Sequence, residues 1–295
     1  MSDLIGDFQI ANNIEAETHT RLYEVWYEHR FKSWSFLIGQ HDLNSVFAIP
    51  ETGLNFINSS FGIQPDLSSN FPASIFPLAT LGIVINWNLS DNILMSHAIY
   101  DGDPGNESEN PNSLNWRLNK EDGALIINEI QFQFKKENII KSAYKLGIWN
   151  HTQNQFLNEV LYTSKNGVYF ISDHLLIQNK NDGISVRSFS QIGLSLSSHN
   201  PISSYYGGGF WFQGFYSKRI EDGLGIAVAN ANFSKYYQSI FKVNSKSETA
   251  IELTYHSIIN RKWSLQPNIQ YIINPSGMIE LSNSLMGLIR FNYAW

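Results

Sequence analysis

Charged and amide side chains recur at alternate positions of this sequence, opposite aliphatic and aromatic residues. In the segment 18–31, Glu24, Glu28 and Arg30 share one parity. Carboxylates accept hydrogen bonds and guanidinium groups donate them, so such side chains together can bind the hydroxyl groups of a neutral solute. Further candidates for solute contact are polar residues that alternate with apolar residues in their own segments: Glu129, Lys145, Arg187, Glu252, Gln266, Gln270 and Arg290.

Two other motifs have residue types that could bind a metal ion or a phosphate group, but neither motif is complete. DGDPGNE, 101–107, contains three carboxylates without the bidentate spacing of an EF-hand. YYGGGFWFQGF, 205–215, is rich in glycine but has no Lys-Ser or Lys-Thr pair and no following helix. The scattered Ser, His and Asp residues lack a local catalytic signature such as a GxSxG elbow. We therefore expect no metal, no cofactor and no enzymatic activity.

Strands must position the polar residues, because a period of two is the pattern of a strand whose two faces differ. In LQPNIQYIINPSG, 265–277, amides occupy one parity, while aliphatic residues, a tyrosine and a proline occupy the other. Segments of this kind, separated by clusters of Asn, Asp, Gly, Ser and Pro, predict an all-β antiparallel architecture. The predicted strands are 3–10, 18–31, 33–41, 78–88, 92–101, 123–135, 141–152, 167–177, 184–198, 207–217, 223–233, 247–259, 262–273 and 284–295.

The composition favours a membrane environment for one face of these strands. Of the 295 residues, 14% are aromatic and only 16% are charged, against about 25% charged in a typical soluble domain. Many of the predicted strands match the ~9 to 11 residues of a membrane-spanning strand rather than the ~5 to 6 of a soluble sheet. We therefore predict a transmembrane antiparallel β-barrel with its apolar parity toward lipid and its polar parity toward the lumen. A soluble β-sandwich is the alternative.

Charge and cysteine content exclude several classes of partner and site. The net charge of -6 provides no basic surface for nucleic acid. The chain has no cysteine, which rules out thiolate metal ligands, a cysteine nucleophile and disulfides. We expect no nucleic-acid partner.

The stretch 42–76 is the one long segment without strand alternation. It mixes phenylalanines with amides, hydroxyls and a carboxylate, so it can pack while presenting polar groups. Loops longer than about 15 residues in compact folds are usually functional or disordered, and this composition argues against disorder. We predict that it folds into the barrel and narrows the pore, with Asn58 and Asp66 facing the solute. An external lid over the rim is the alternative.

Several motifs, spread in order over the chain, resemble the carbohydrate-selective porin family, the OprB-like porins of Gram-negative outer membranes. The most specific are NSSFG (58–62), DGDPG (101–105) and LQPNIQYIINP (265–275). The resemblance implies a 16-stranded outer-membrane barrel that passes monosaccharides and similar small neutral solutes by diffusion. A non-porin barrel with an adhesive or structural role, and a soluble carbohydrate binder, are the alternatives.

The two ends of the chain differ in how well they match this family. Family members carry a signal peptide and further strands before the block that here begins near residue 4, so about fourteen predicted strands suggest that an upstream portion is missing. The end, GLIRFNYAW, alternates and finishes on Trp295, which resembles the signal that the barrel assembly machinery reads. The expected partners are small carbohydrates, outer-membrane lipid and that machinery, and a homo-oligomer stays open.

Overall fold

The computed structural model describes residues 2–16, 18–105, 110–157, 160–162, 164–179, 183–216, 218–241, 243 and 245–294. Three short α-helices occur in this part of the chain, α1 (Ser2–Ile5), α2 (Pro65–Ser68) and α3 (Lys235–Ile240). None of the helices in these ranges is long and apolar enough to cross a membrane. The described strands are β1 (Val25–Arg30), β2 (Trp34–His41), β3 (Thr80–Ser90), β4 (Ile93–Asp101), β5 (Ala124–Lys136), β6 (Ile139–His151), β7 (Gln155–Leu157), β8 (Val160–Tyr162), β9 (Lys165–Gln178), β10 (Ser185–Ser195), β11 (Ile202–Gln213), β12 (Gly223–Phe233), β13 (Ser247–Ile258), β14 (Trp263–Ile273) and β15 (Ser284–Tyr293).

Thirteen of these strands form one sheet in which neighbours follow chain order, from β1 to β6 and then from β9 to β15. Every pairing in it is antiparallel. β7 and β8 form a separate hairpin between β6 and β9. Among the described residues, β1 and β15 each have one partner strand. The predicted all-β antiparallel fold is confirmed, with thirteen strands in the sheet where the sequence predicted about fourteen.

Residues 3–10 are the one predicted strand that is wrong. The chain forms α1 there and then an irregular path in which Gly6 and Ile10 adopt positive φ angles of 71° and 55°. The backbone N–H groups of Phe8 and Gln9 bind the carboxylate of Glu248 instead of a neighbouring strand. A short alternating pattern is therefore also compatible with irregular chain that packs against a sheet.

Most connections are shorter at one end of the sheet than at the other. The short-turn end includes the connections 91–92 and 137–138, and at the latter Glu137 and Asn138 both have the positive φ of a type I′ turn. The long-loop end includes the connections 42–79 and 102–123. This asymmetry is typical of outer-membrane barrels.

The two faces of the sheet differ in the way that the alternation predicts. Along β12, Ile226 and Val228 are 46% and 44% exposed, whereas Ala227 and Ala229 between and beside them are almost fully buried. Apart from β1 and β2, each strand of the sheet has 9 to 14 residues, enough to span a bilayer. The exposed aliphatic parity is the outer face and the buried parity is the inner face.

Two segments pack against the inner face: residues 42–79, here the inner segment, and residues 2–16, here the N-terminal segment. Phe56 and Phe61 of the inner segment contact the ring of Phe189 on β10, with centroids 5.7 Å and 6.0 Å away. The inner segment contributes to both hydrophobic clusters of the described chain. One cluster joins it to β2 to β6 and β9, and the other joins it to β10 to β14. The core of this protein is therefore formed inside the curve of the sheet.

Candidate functional site

Carboxylates on the inner face accept hydrogen bonds from the backbone of the inner segment. Glu129 Oε2 accepts from the N–H of Ala48 at 2.9 Å. Asp173 accepts from the N–H groups of Glu51 and Thr52 at 3.1 Å and 2.8 Å. A buried charge without partners is costly, so these contacts both satisfy the carboxylates and fix the inner segment against β5 and β9.

Glu252 on β13 repeats this arrangement further along the inner segment. Its two carboxylate oxygens accept from the N–H groups of Ile57 and Asn58, each at 2.8 Å. Asn268 Nδ2 also donates to Glu252 Oε1 at 2.5 Å, and Asn58 Nδ2 donates to Gln270 Oε1 at 3.1 Å. Glu252, Asn58 and Gln270 are fully buried, so this network has no direct access to solvent.

Cationic and amide side chains of the sheet bind the carbonyl groups of the same segment. Lys145 Nζ donates to Ile49 O at 2.6 Å and lies 3.5 Å from the carboxylate of Glu51. Gln266 Nε2 donates to Asn55 O at 2.8 Å. Hydrogen-bond donors and acceptors of the inner face thus alternate along the inner segment, and they satisfy both N–H and C=O groups of its backbone.

The N-terminal segment is held by the last strands of the sheet. Gln270 Nε2 donates to Ala11 O at 2.8 Å. Arg290 on β15 donates to the side-chain oxygens of Asn12 and Asn13 at 2.8 Å and 2.6 Å. These contacts occupy polar groups of β14 and β15 that face the interior.

Asp66 is fully buried where the inner segment meets β10. Gly193 leaves room for it, because a Cβ atom at that position would lie 2.0 Å from Asp66 Oδ1. The side chains of Gln64 and Trp149 adjoin the carboxyl group, but no well-formed hydrogen bond from a described residue reaches either of its oxygens. Burial raises the pKa of Asp66 to about 8, so its neutral form predominates at neutral pH.

The remaining charged candidates are less enclosed. Arg30 Nη2 lies 2.6 Å from Glu28 Oε2, and the Arg30 side chain is 78% exposed. Glu24 accepts from the backbone N–H of Asp42 at 2.7 Å, at the start of the inner segment. Arg187 is half-buried on β10 and has no hydrogen bond or ion pair with the described residues. Glu28, Arg30 and Arg187 therefore retain donors and acceptors for other molecules.

The structure brings most of the predicted site residues together, but around the two interior segments. Glu24, Asn58, Asp66, Glu129, Lys145, Glu252, Gln266, Gln270 and Arg290 all lie against these segments or within them. Their direct contact with solute stays a prediction. Glu28, Arg30 and Arg187 are the predicted residues that lie apart from these contacts.

Two anchoring residues were missed by the sequence reasoning, Asp173 and Glu248. Glu248 has the same parity as Glu252 in β13, so the alternation could have identified it. Asp173 shares its parity with apolar residues of β9, and no periodic signal marks it. The glycine-rich motif 205–215 lies largely in β11, as a strand. Finally, Glu107 and Trp295 lie outside the described residues.

Comparisons with known proteins identify the family. A family model described as carbohydrate-selective porin, OprB family, matches residues 3–293. A high-pH structure of Pseudomonas putida OprB superposes with a TM-score of 0.86 at 18% identity, covering 99% of this chain and 78% of that one. A low-pH structure of the same protein gives a TM-score of 0.58 at 14% identity, covering 92% and 67%. No curated protein matches the sequence. The chain belongs to the carbohydrate-selective porin family OprB and is an outer-membrane channel that passes small carbohydrates by diffusion.

Proposed function

We propose that the inner segment is the constriction of this channel and limits the size of the carbohydrate that passes. The observation that supports the proposal is the attachment of its backbone to three inner-face carboxylates, Glu129, Asp173 and Glu252. A segment tied along its length inside a barrel occupies lumen that solutes would otherwise use. Diffusion through the remaining space needs no covalent step, so we propose no enzymatic role.

The groups that remain accessible are the ones we propose for direct contact with carbohydrate. In the inner segment, Leu54 is 54% exposed, the Glu51 side chain is 61% exposed and Ser45 is exposed. On the sheet, the Glu28–Arg30 pair and Arg187 are also accessible, and we propose them for the same role. The other predicted residues act by holding the constriction in place: Glu24, Asn58, Asp66, Glu129, Lys145, Glu252, Gln266, Gln270 and Arg290.

The outer face supports the remaining partners that we propose. Its exposed aliphatic side chains contact outer-membrane lipid, as in other barrels. In β15, Phe291 is 71% exposed and Tyr293 is 47% exposed, which fits recognition of this strand by the barrel assembly machinery. A homo-oligomer would bury part of the same face.

Weakening the anchors of the inner segment tests the constriction. In the triple variant Glu129→Gln, Asp173→Asn and Glu252→Gln, neutral amides replace charge-assisted acceptors, and each affected hydrogen bond is worth about 1 kcal/mol less. We expect a larger single-channel conductance in planar bilayers and faster entry of oligosaccharides into proteoliposomes. Glu221→Gln, an exposed position in the connection 214–222 away from the inner segment, is the matched control.

An unchanged conductance in a triple variant that still shows heat-modifiable folding would contradict the constriction. Complete absence of conductance in the natural chain and in the variant alike would contradict the channel itself.

A further inference from the structure

A polar cleft of about 660 Å³ opens at the long-loop end of the sheet, between the connection 102–123 and the inner segment. We call it the mouth cleft. Pro72 and Ala79 of the inner segment are among its lining residues, so a molecule in the cleft would lie next to that segment. Long loops of outer-membrane barrels face the outside, so this is the end at which a nutrient enters.

Carboxylates of the mouth cleft have unused acceptor capacity. Asp103 Oδ1 accepts from the N–H of Gly105 at 2.8 Å, and Asp122 Oδ2 accepts from Asn119 Nδ2 at 2.9 Å. A carboxylate offers about four acceptor positions, so each of these groups can also accept from a ligand. The cleft thus presents acceptors that are held in place by neighbouring donors.

An aromatic ring with a fixed orientation borders the same cleft. Trp116 Nε1 donates to Gln40 Oε1 at 2.7 Å, and Gln40 in turn donates to the carbonyl groups of Leu22 and Tyr23 at 2.6 Å and 3.1 Å. The Trp116 side chain nevertheless remains 53% exposed. A ring that is held at its polar edge and open on its surface suits the C–H face of a sugar.

The charge of the lining limits which sugars the cleft can bind. Asp101, Asp103 and Asp122 contribute three carboxylates, and Arg117 contributes the one cationic group of the described lining. Such a lining repels anions and attracts cations, with an effect that decreases as salt screens it. Arg117 has no hydrogen bond or ion pair with described residues and is exposed, so it too can bind a hydroxyl.

We propose that the mouth cleft is a capture site for a single sugar, with Trp116 as the stacking surface and Asp103 and Asp122 as hydroxyl or amine acceptors. It binds neutral and amino sugars in preference to sugar acids and sugar phosphates. The proposal rests on the channel function above, because the site would load solute next to the inner segment that is proposed as the constriction.

The test compares glucose, glucosamine, gluconate and glucose 6-phosphate as blockers of the single-channel current of the full chain. We expect Trp116→Ala to weaken binding of glucose and glucosamine by about tenfold, equivalent to about 1.4 kcal/mol, with the sugar-free conductance unchanged. Asp103→Asn combined with Asp122→Asn should reduce the preference for glucosamine over gluconate by a similar factor. Asp91→Asn, in a short turn at the opposite end, is the control.

Calorimetric titration of the detergent-purified protein with glucosamine separates this proposal from the channel function. Binding that is lost in Trp116→Ala supports the mouth cleft even if no variant conducts. Equal binding in the natural chain and in Trp116→Ala overturns the cleft while leaving the channel intact. A stronger affinity for gluconate than for glucosamine would overturn the charge preference.

Discussion

Several charged residues of the inner face bind the protein's own backbone. Glu129 and Glu252 have the parity and the chemistry expected for hydrogen bonding to hydroxyls, yet both are buried under the inner segment. Backbone N–H groups compete for the same lone pairs as a solute, and those of a covalently attached segment have the advantage of proximity. A residue's parity therefore predicts which face it occupies but not which group it contacts.

The stability of the protein should depend on pH through Asp66. Its pKa is about 8 in the folded chain, against an ordinary value of 3.8, so the folded state binds a proton more tightly than the unfolded state. The bound proton on Asp66 therefore stabilises the folded state. This contribution to the free energy of unfolding is complete below about pH 4 and is lost as the pH rises toward 8, by about 1.4 kcal/mol per pH unit. We expect Asp66→Asn to unfold at a higher temperature than the natural chain at pH 9 and at a similar temperature at pH 4.

Thermal unfolding of the detergent-solubilised protein at both pH values checks this prediction, with Asp91→Asn as the control. Parallel pH dependence in Asp66→Asn and in the natural chain would show that another group is responsible.

Adjacent residues of β13 should respond in opposite ways to substitution. Leu253 is 46% exposed on the outer face, and an arginine that faces lipid costs about 2 to 4 kcal/mol near the membrane midplane. Leu253→Arg should therefore lower the yield of folded barrel, as measured by heat-modifiable migration on a gel. Glu252→Ala should keep most of the yield but raise conductance, because the N–H groups of Ile57 and Asn58 lose their acceptor. The reverse pattern would mean that the faces of β13 are inverted.

Strands and connections differed in how far their sequences revealed them. Thirteen of the predicted strands correspond to observed ones, because each has a long apolar parity that must face lipid. The hairpin of β7 and β8 is too short to carry such a signal. The inner segment has no period. Its predicted range is 42–76, and residues 77–79 separate that range from β3, which begins at Thr80. Its composition indicated packing but not the partners of its backbone.

The last strand should be the element on which membrane insertion depends most. In β15, Leu285, Ile289 and Phe291 are each at least 60% exposed on the outer face, and the alternating pattern continues in the sequence to Trp295. Deletion of Trp295, or Trp295→Asp, should reduce insertion far more than Asn110→Asp in a loop, because the alternating pattern loses its terminal aromatic, and barrels use aromatic side chains at the membrane interface. Folded yield in outer-membrane fractions measures this effect. Equal yields from both variants would argue against the assembly role.

At the scale of the whole molecule, the sequence indicated the fold class and the family, and the structure supplied the interior. Antiparallel order and the two faces follow from alternation, which is a local property. The pairing of Asp173 with the N–H groups of Glu51 and Thr52 joins positions more than a hundred residues apart, and no local pattern encodes it. The mouth cleft likewise combines residues from several connections.

The anchoring of the inner segment also bears on how such a channel can change its solute. Glu129, Asp173, Glu252, Lys145 and Gln266 all bind main-chain atoms of that segment. Main-chain N–H and C=O groups are the same in every residue except proline, so these contacts tolerate sequence change. If the inner segment is the constriction, as proposed, its accessible side chains can be exchanged, in evolution or by design, to retune selectivity while its backbone keeps the same path along the inner face.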